Sequence, residues 1–341
     1  MAQRERSDTG CAAPPPVTII TPVHNGGHYV AETIESVLRQ EYEGLEYIVL
    51  DDGSTDDTIA QIERFRPRLR LYSHANVGEA RTVNIGIQQA QSDIIAVVNA
   101  DDPILPGLVH AAVSEFELHP DLVGLYPDWL KIDEAGVTLG EVRPLDFDYS
   151  VLLSQNLCIP GPGAFFRRSA LSGELARNPG FRYGGDYDFW LRLGLRGRIS
   201  RLPLTLATWR HHPTSSSQRY CNAEMALEKI AIIEAFFARP DLPQAVRELE
   251  AQARSAAYFA AALLGLRGDD VPSARLLLRS FLAKPRWRRP VVPQQRRSIP
   301  HVLYLLGQPL SGRLHTAIDR FLPHRYQRSA VLRQRFGERN A

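Results

Sequence analysis

From residue 17 to about residue 125, short runs of β-branched and aliphatic residues alternate with longer stretches whose apolar positions recur every three or four residues. The short runs predict strands over 17–21, 45–50, 69–73, 93–98 and 122–126. The longer stretches predict helices over 29–40, 57–65, 78–90 and 106–118, with Ile34, Val37 and Leu38 at helical spacing in the first. Strand and helix in strict alternation predict an α/β fold, a parallel sheet with helices on both faces. Ligands of such sheets bind beyond the carboxyl ends of the strands, so the chemistry is expected there.

Past residue 126 the pattern becomes a hairpin turning through Asp133, Glu134, Ala135 and Gly136, then a short helix, then a Pro/Gly loop at 160–163. After residue 217 it turns helical. Met225, Ile232, Ile233, Phe236 and Phe237 mark one helix, 246–266 a second and 274–282 a third. The last two, joined by Gly268, Asp269 and Asp270, resemble one tetratricopeptide hairpin; a helical cap on the preceding domain is the other reading, since one unit makes no array. The longest apolar stretch, 256–266, is well short of the ~20 residues of a membrane-spanning helix.

Composition narrows the class. With 44% hydrophobic and 23% charged residues over 341 positions, the chain is not disordered, collagen-like or disulfide-stapled, and its length suits two domains. Residues 1–16 are charged, then small and proline-rich without an apolar core, so a disordered tail is expected there rather than a signal peptide or a lipoprotein anchor at Cys11. Cys11, Cys158 and Cys221 are far apart and odd in number, which fits a reducing compartment and a cytoplasmic location. Net charge adds an asymmetry. From Arg275 onward 15 Lys or Arg face two acids, so that segment carries +13 and the residues before it −11. Such a segment is expected to meet something anionic.

Three predicted strand ends carry polar strings. The first is Thr21-Pro22-Val23-His24-Asn25, the second Asp51-Asp52-Gly53-Ser54-Thr55-Asp56-Asp57, and the fourth Asn99-Ala100-Asp101-Asp102. Carboxylates gathered at one rim raise each other's pKa unless a cation or a donor neutralises them. Hard oxygen ligands suit Mg²⁺ or Mn²⁺, so a divalent metal bridging to phosphate is one reading. For the second string alone, a turn followed by a helix N-cap is the other.

Together these strings, with Asn76-Val77-Gly78 and Asn84-Ile85-Gly86, resemble the inverting family 2 glycosyltransferases of GT-A fold. The resemblance runs on through Gly161 to Arg168, the Tyr183-Gly184-Gly185-Asp186-Tyr187-Asp188-Phe189-Trp190 string, and Trp209-Arg210-His211-His212 to Ser217, covering residues 17 to about 217. It implies that Pro22, Val23, His24 and Asn25 line the base and ribose pocket, with His24 where Tyr is commoner. It also implies that Asp52 binds the nucleobase, that Asn84 belongs to the nucleotide-sugar contacts, and that Asp101 and Asp102 touch the ribose and hold Mg²⁺ or Mn²⁺ on the diphosphate. Which of the two acids binds metal directly stays open. Asn99 replaces the usual first acid of that motif, and Val83 stands where the family often has Arg, with Arg81 two residues earlier. His212 is implied as a metal ligand, with Arg210 beside it as a phosphate partner. Asp186 is implied as the general base that deprotonates the acceptor hydroxyl, Asp188 being its competitor.

The 126–163 segment is then the acceptor side, with Trp129, Phe165 and Phe166 as candidates either for stacking on a sugar or for packing inside. The absence of a Gln-x-x-Arg-Trp string favours single addition over polymer synthesis. The expected organisation is a tail (1–16), a GT-A domain (17–217), a helical region (218–283) and a basic helical tail (284–341). In that last segment Leu314, Ile318, Phe321 and Leu322 lie beside Arg313, Arg320, Arg325 and Arg328, as on a peripheral helix at the inner, anionic face of a membrane or in a solvated basic tail. The expected partners are a nucleotide-diphosphate sugar and a glycan or lipid-linked acceptor in cell-surface polysaccharide synthesis, with no nucleic acid. Alternatives are a catalytically degenerate GT-A module that binds nucleotide or partner, and a nucleotidyltransferase, which lacks the basic Gly-rich loop after the first strand.

Overall fold

The protein was analysed as a computed structural model that describes residues 13–213, 215 and 223–267. The expectations for residues 1–12 with Cys11, for Cys221, for the end of the motif at 214 and 216–217, for the helix over 274–282 and for the basic tail over 284–341 lie outside the described residues. Two compact units divide the rest: 13–152, 157–213, 215 and 234–243 in one, and 153–156, 223–233 and 244–267 in the other.

The first unit alternates as the pattern predicts: β1 (Val17–Val23), α1 (Val30–Leu38), β2 (Leu45–Asp52), α2 (Thr58–Glu63), β3 (Arg70–His74), α3 (Glu79–Gln89), β4 (Ile94–Val97), α4 (Leu108–Leu118) and β5 (Leu122–Ile132). β6 (Thr138–Val142), α5 (Tyr149–Gln155), β7 (Phe165–Arg167), a 3₁₀ turn (Arg168–Leu171), α6 (Gly185–Leu193) and β8 (Arg198–Arg210) follow. The eight-stranded sheet has the order β3-β2-β1-β4-β7-β5-β6, with β8 beside β5.

The sheet departs at one place from the parallel run expected up to residue 126. β7 is inserted antiparallel between β4 and β5, and β6 folds back on β5 as a hairpin. Two antiparallel steps restore the direction of β5, and β8 pairs with β5 in parallel, Ile132 opposite Arg210. The carboxyl ends of β1, β2, β4, β5 and β8 therefore open on one rim.

β1 is buried at every position, as a strand covered on both faces must be. Its odd residues Val17, Ile19 and Val23 join Val30, Ile34 and Val37 of α1, Ile62 of α2 and Val109 and Phe116 of α4 in one core. On the other face α3 comes down at Gly86. A Cβ there would lie 2.7 Å from Ile20 Cγ2 and 2.8 Å from Leu50 Cδ1, so glycine permits the close approach.

The second unit is helical, drawn from parts of α5 and α7 (Ala223–Phe237) with α8 (Gln244–Arg247) and α9 (Glu250–Arg267). The single helix expected over 246–266 is thus a short turn followed by a long helix. Ala226, Ile232, Ile233, Ala253, Ala257 and Ala261 are buried. No helix among the described residues is long and apolar enough to cross a membrane.

Candidate active site

At the end of β1, Pro22 and Val23 are buried within the sheet opposite Leu50 and Asp51, so they fix the level at which His24 emerges. His24 Nδ1 lies 2.8 Å from the carbonyl oxygen of Asp52 and donates to it. This leaves Nε2 as an acceptor, with the Asn25 side-chain amide 3.3 Å away. Asn25, in the left-handed region at φ 53°, ties its loop to the next: its N–H donates to Ser54 Oγ (2.9 Å) and its Oδ1 accepts from the Thr55 N–H (2.8 Å).

Asp52 is buried, and its carboxylate accepts from the N–H groups of Val77 (2.7 Å) and Gly78 (2.9 Å). It therefore shapes the loop before α3. Asn84 holds the main chain of Arg177, donating to its carbonyl oxygen (2.7 Å) and accepting from its N–H (2.9 Å). Both amide atoms of this buried side chain are engaged there. Asn84 is thereby a tie between α3 and the loop before α6.

The acidic turn after β4 divides its labour. Asp102 is buried, accepts from the N–H of Arg210 (2.8 Å) and from the Asn99 amide (3.0 Å), and is pushed up to about 7 by burial and by neighbouring Asp101. Asp101 is more open, and its Oδ2 lies 2.9 Å from Nε2 of the buried His212. Arg210 is only 1% exposed, which corrects its expected role at phosphate. Its guanidinium donates to the carbonyl oxygens of Asp101 (2.9 Å), Asp133 (3.2 Å) and Glu134 (3.0 Å) and to the carboxylate of Glu32 (2.6 Å), and lies 4.9 Å over the Tyr29 ring. Tyr29 in turn packs on His212 at 4.8 Å between ring centroids.

α6 opens with two acids of unlike fate. Asp188 is buried and accepts from Nε (3.0 Å) and Nη2 (2.8 Å) of Arg192, which also ties the carbonyls of Leu175 and Ala176. Asp186 is exposed, and its Oδ1 accepts from the Tyr187 N–H at 2.7 Å. Trp129, Phe165 and Phe166 are all buried, so none of them stacks on a sugar. Gly161 packs on the Trp129 ring.

Sequence reasoning passed over Tyr29, Glu79 and Arg177. Glu79 follows Asn76-Val77-Gly78 as the first residue of α3, a position the motif itself marks. Arg177 lies in a segment with no motif. Burial, then Asp186 and Asp101, push the Glu79 carboxyl above the usual range, while Arg177 opposes them.

Residues 18–173 match the family model described as Glycosyl transferase family 2. An uncharacterized glycosyltransferase of Haemophilus influenzae is 28% identical over 221 residues, 60% of this chain and 68% of that protein. A chondroitin synthase of Escherichia coli is 28% identical over 193 residues, 55% of this chain and 28% of that protein. The match spans only 58% of a Rickettsia typhi relative, so the chain corresponds to part of several of the relatives it matches. Among solved structures, S. aureus TarS 1-349 superimposes with a TM-score of 0.60 at 17% identity, over 92% of this chain and 93% of that one. A mannosyltransferase from Pyrobaculum calidifontis does so with a TM-score of 0.51 at 19% identity, over 80% and 82%. Residues 18–173 thus match a family 2 glycosyltransferase domain, the fold of the first unit is that of GT-A, and the expected fold class holds.

Proposed function

We propose that the chain is an inverting hexosyltransferase that moves one sugar from a nucleotide-diphosphate sugar to a hydroxyl of a glycan or lipid-linked acceptor, in the building of a cell-surface polysaccharide. The observation that carries this reading is the contrast within each acidic pair. Asp102 and Asp188 are buried and engaged with arginine or amide donors, whereas Asp101 and Asp186 are the open members.

Asp101 and His212 offer an oxygen and a nitrogen, a donor set that suits Mg²⁺ or Mn²⁺. No group of three His, Cys, Asp or Glu residues that could hold a metal gathers among the described residues. The rest of the shell would therefore come from substrate phosphate and water, as is usual for these ions. Bound there, the cation would neutralise charge on the departing diphosphate. Asp186 takes the proton of the acceptor hydroxyl as that oxygen forms its bond to the anomeric carbon. The bond to the diphosphate oxygen breaks on the opposite side, and the in-line displacement inverts the centre. His24, Asn25 and the Asp52-supported loop are assigned to the nucleoside. TarS has been solved in complex with UDP-GlcNAc and the P. calidifontis enzyme with GDP-Man and Mn²⁺, which supports a donor of this class.

Calorimetric titration with UDP, GDP and dTDP, with and without Mn²⁺, tests the reading. One diphosphate is expected to bind only with the metal, and Asp101→Ala to remove that dependence. Tight binding without metal, unchanged in Asp101→Ala and His212→Ala, would overturn the metal assignment.

A further inference from the structure

Asp101 and His212, the two donors assigned to the metal, come from segments 111 residues apart, and one side chain touches the surroundings of both. Arg210 holds the acidic turn by two donors of its own: its main-chain N–H meets Asp102 Oδ1 (2.8 Å) and its Nε the carbonyl oxygen of Asp101 (2.9 Å). Its Nη1 fastens the β5–β6 turn through the carbonyl oxygens of Asp133 and Glu134. Gly136, in the left-handed region at φ 82°, closes that turn beside the guanidinium; a Cβ there would lie 3.8 Å from both Arg210 Nη1 and Glu32 Oε1. Nη2 reaches Glu32 in the first turn of α1, and the same helix ties the acidic turn again, Thr33 Oγ1 donating to the carbonyl oxygen of Ala100 (2.9 Å). The Tyr29 ring meets the guanidinium at 4.9 Å and the His212 ring at 4.8 Å, and His212 follows Arg210 by only two residues.

A buried guanidinium close to a cation site repels the cation unless its charge is compensated. Three main-chain carbonyls accept from this one, and Glu32 is the carboxylate hydrogen-bonded to it among the described residues. Glu32 supplies its charge from the solvent side, with 55% of its side chain exposed. Ligands already held at their working spacing need less ordering when the ion arrives. This inference rests on the proposed reaction, in which Asp101 and His212 face the metal. We propose that Arg210 is the positioning residue of that pair, setting Asp101 Oδ2 and His212 Nε2 2.9 Å apart in advance of the cation, and that Glu32 makes a buried cation compatible with metal binding there.

The full chain is titrated with Mn²⁺ in saturating UDP, GDP or dTDP, free Mn²⁺ being read from its electron paramagnetic resonance signal, and each variant is also melted. Arg210→Lys keeps the charge and loses the planar fork, so it should raise the half-saturating Mn²⁺ by about tenfold or more, the scale of one lost charged hydrogen bond. Glu32→Gln should raise it about three- to fivefold, the scale of a half-exposed ion pair. Arg201 forks on buried Asp128 at 2.7 Å through Nε and Nη2, elsewhere on the β5–β8 pair. Arg201→Lys should therefore lower the melting temperature and leave the half-saturating Mn²⁺ within about twofold of wild type. If Arg210→Lys does not fold, Glu32→Gln decides alone, since Glu32 is exposed. Unchanged half-saturating Mn²⁺ in every folded variant, with melting lowered as in Arg201→Lys, would make Arg210 a structural tie only; the positioning role is then overturned and the metal reading stands. If the wild type binds its diphosphate equally well without Mn²⁺, both are overturned.

Discussion

Asp186 and Asp188 lie two positions apart on one helical turn, yet the fold gives them opposite surroundings. Asp188 meets Arg192 and anchors the segment carrying Leu175 and Ala176, whereas Asp186 points to solvent. Asp186→Asn is expected to leave diphosphate binding within a few-fold of wild type and to lower the transfer rate by roughly 10², the scale of general base catalysis. Asp188→Asn should instead lower the melting temperature and weaken transfer less. Rate assays at saturating donor, paired with thermal melts, separate the two, and equal rate losses would show the base to be misassigned. The motif placed Asp186 ahead of Asp188 in the sequence but could not give the physical reason, which is that Arg192 reaches Asp188 and leaves Asp186 open. The same holds for Asn84 and Arg210. Their partners Arg177 and Asp101 lie 93 and 109 residues away, a separation that no local pattern encodes.

At the scale of elements, periodicity located nearly every strand and helix up to residue 126, because β1, β2 and β4 are buried on both faces and α1 to α4 each bury one stripe. It missed β7, whose three residues are too few for a pattern and whose antiparallel insertion between β4 and β5 is a tertiary event. The segment between β7 and α6, which carries Arg177, is fastened by ion pairs rather than by regular structure. Glu174 meets Arg239 (2.9 Å), Arg196 (2.6 Å) and Arg192 (3.3 Å) there. Arg239 foremost, then Arg196, holds the Glu174 carboxyl at about 2, below its ordinary 4.5. A carboxylate depressed on folding contributes fully above the unfolded value and loses its contribution as pH falls through the folded one. Glu174→Gln is therefore expected to cost about 1–2 kcal/mol near pH 7, less than the ~3 kcal/mol of an unscreened shift of that size, since the side chain is partly solvated. Denaturant titrations of wild type and variant should converge between pH 4.5 and about 2, and a gap that stays constant over that window would show the network to be inert.

For the whole molecule the telling quantity is where the charge lies. A formal net charge of +2 conceals +13 from Arg275 onward, and within that stretch Leu314, Ile318 and Phe321 recur at helical spacing beside Arg313, Arg320, Arg325 and Arg328. A glycosyltransferase whose acceptor is carried on a lipid gains from being held at the surface where that lipid lies, and we propose that this segment serves that purpose. Each basic residue near an anionic surface contributes about 1 kcal/mol, and the attraction fades beyond a screening length of ~8 Å at physiological salt. We therefore expect the full chain to float with vesicles containing phosphatidylserine at low salt, to remain behind with neutral phosphatidylcholine vesicles, and to be released as salt rises. Replacing Arg313, Arg320, Arg325 and Arg328 with Gln should abolish flotation while transfer to a water-soluble acceptor persists, because these residues lie far along the chain from the rim acids. If wild type stays in solution with anionic vesicles at low salt, the basic stretch serves a solvated or protein-binding role, and the lipid-linked acceptor loses the support that this charge pattern gives it.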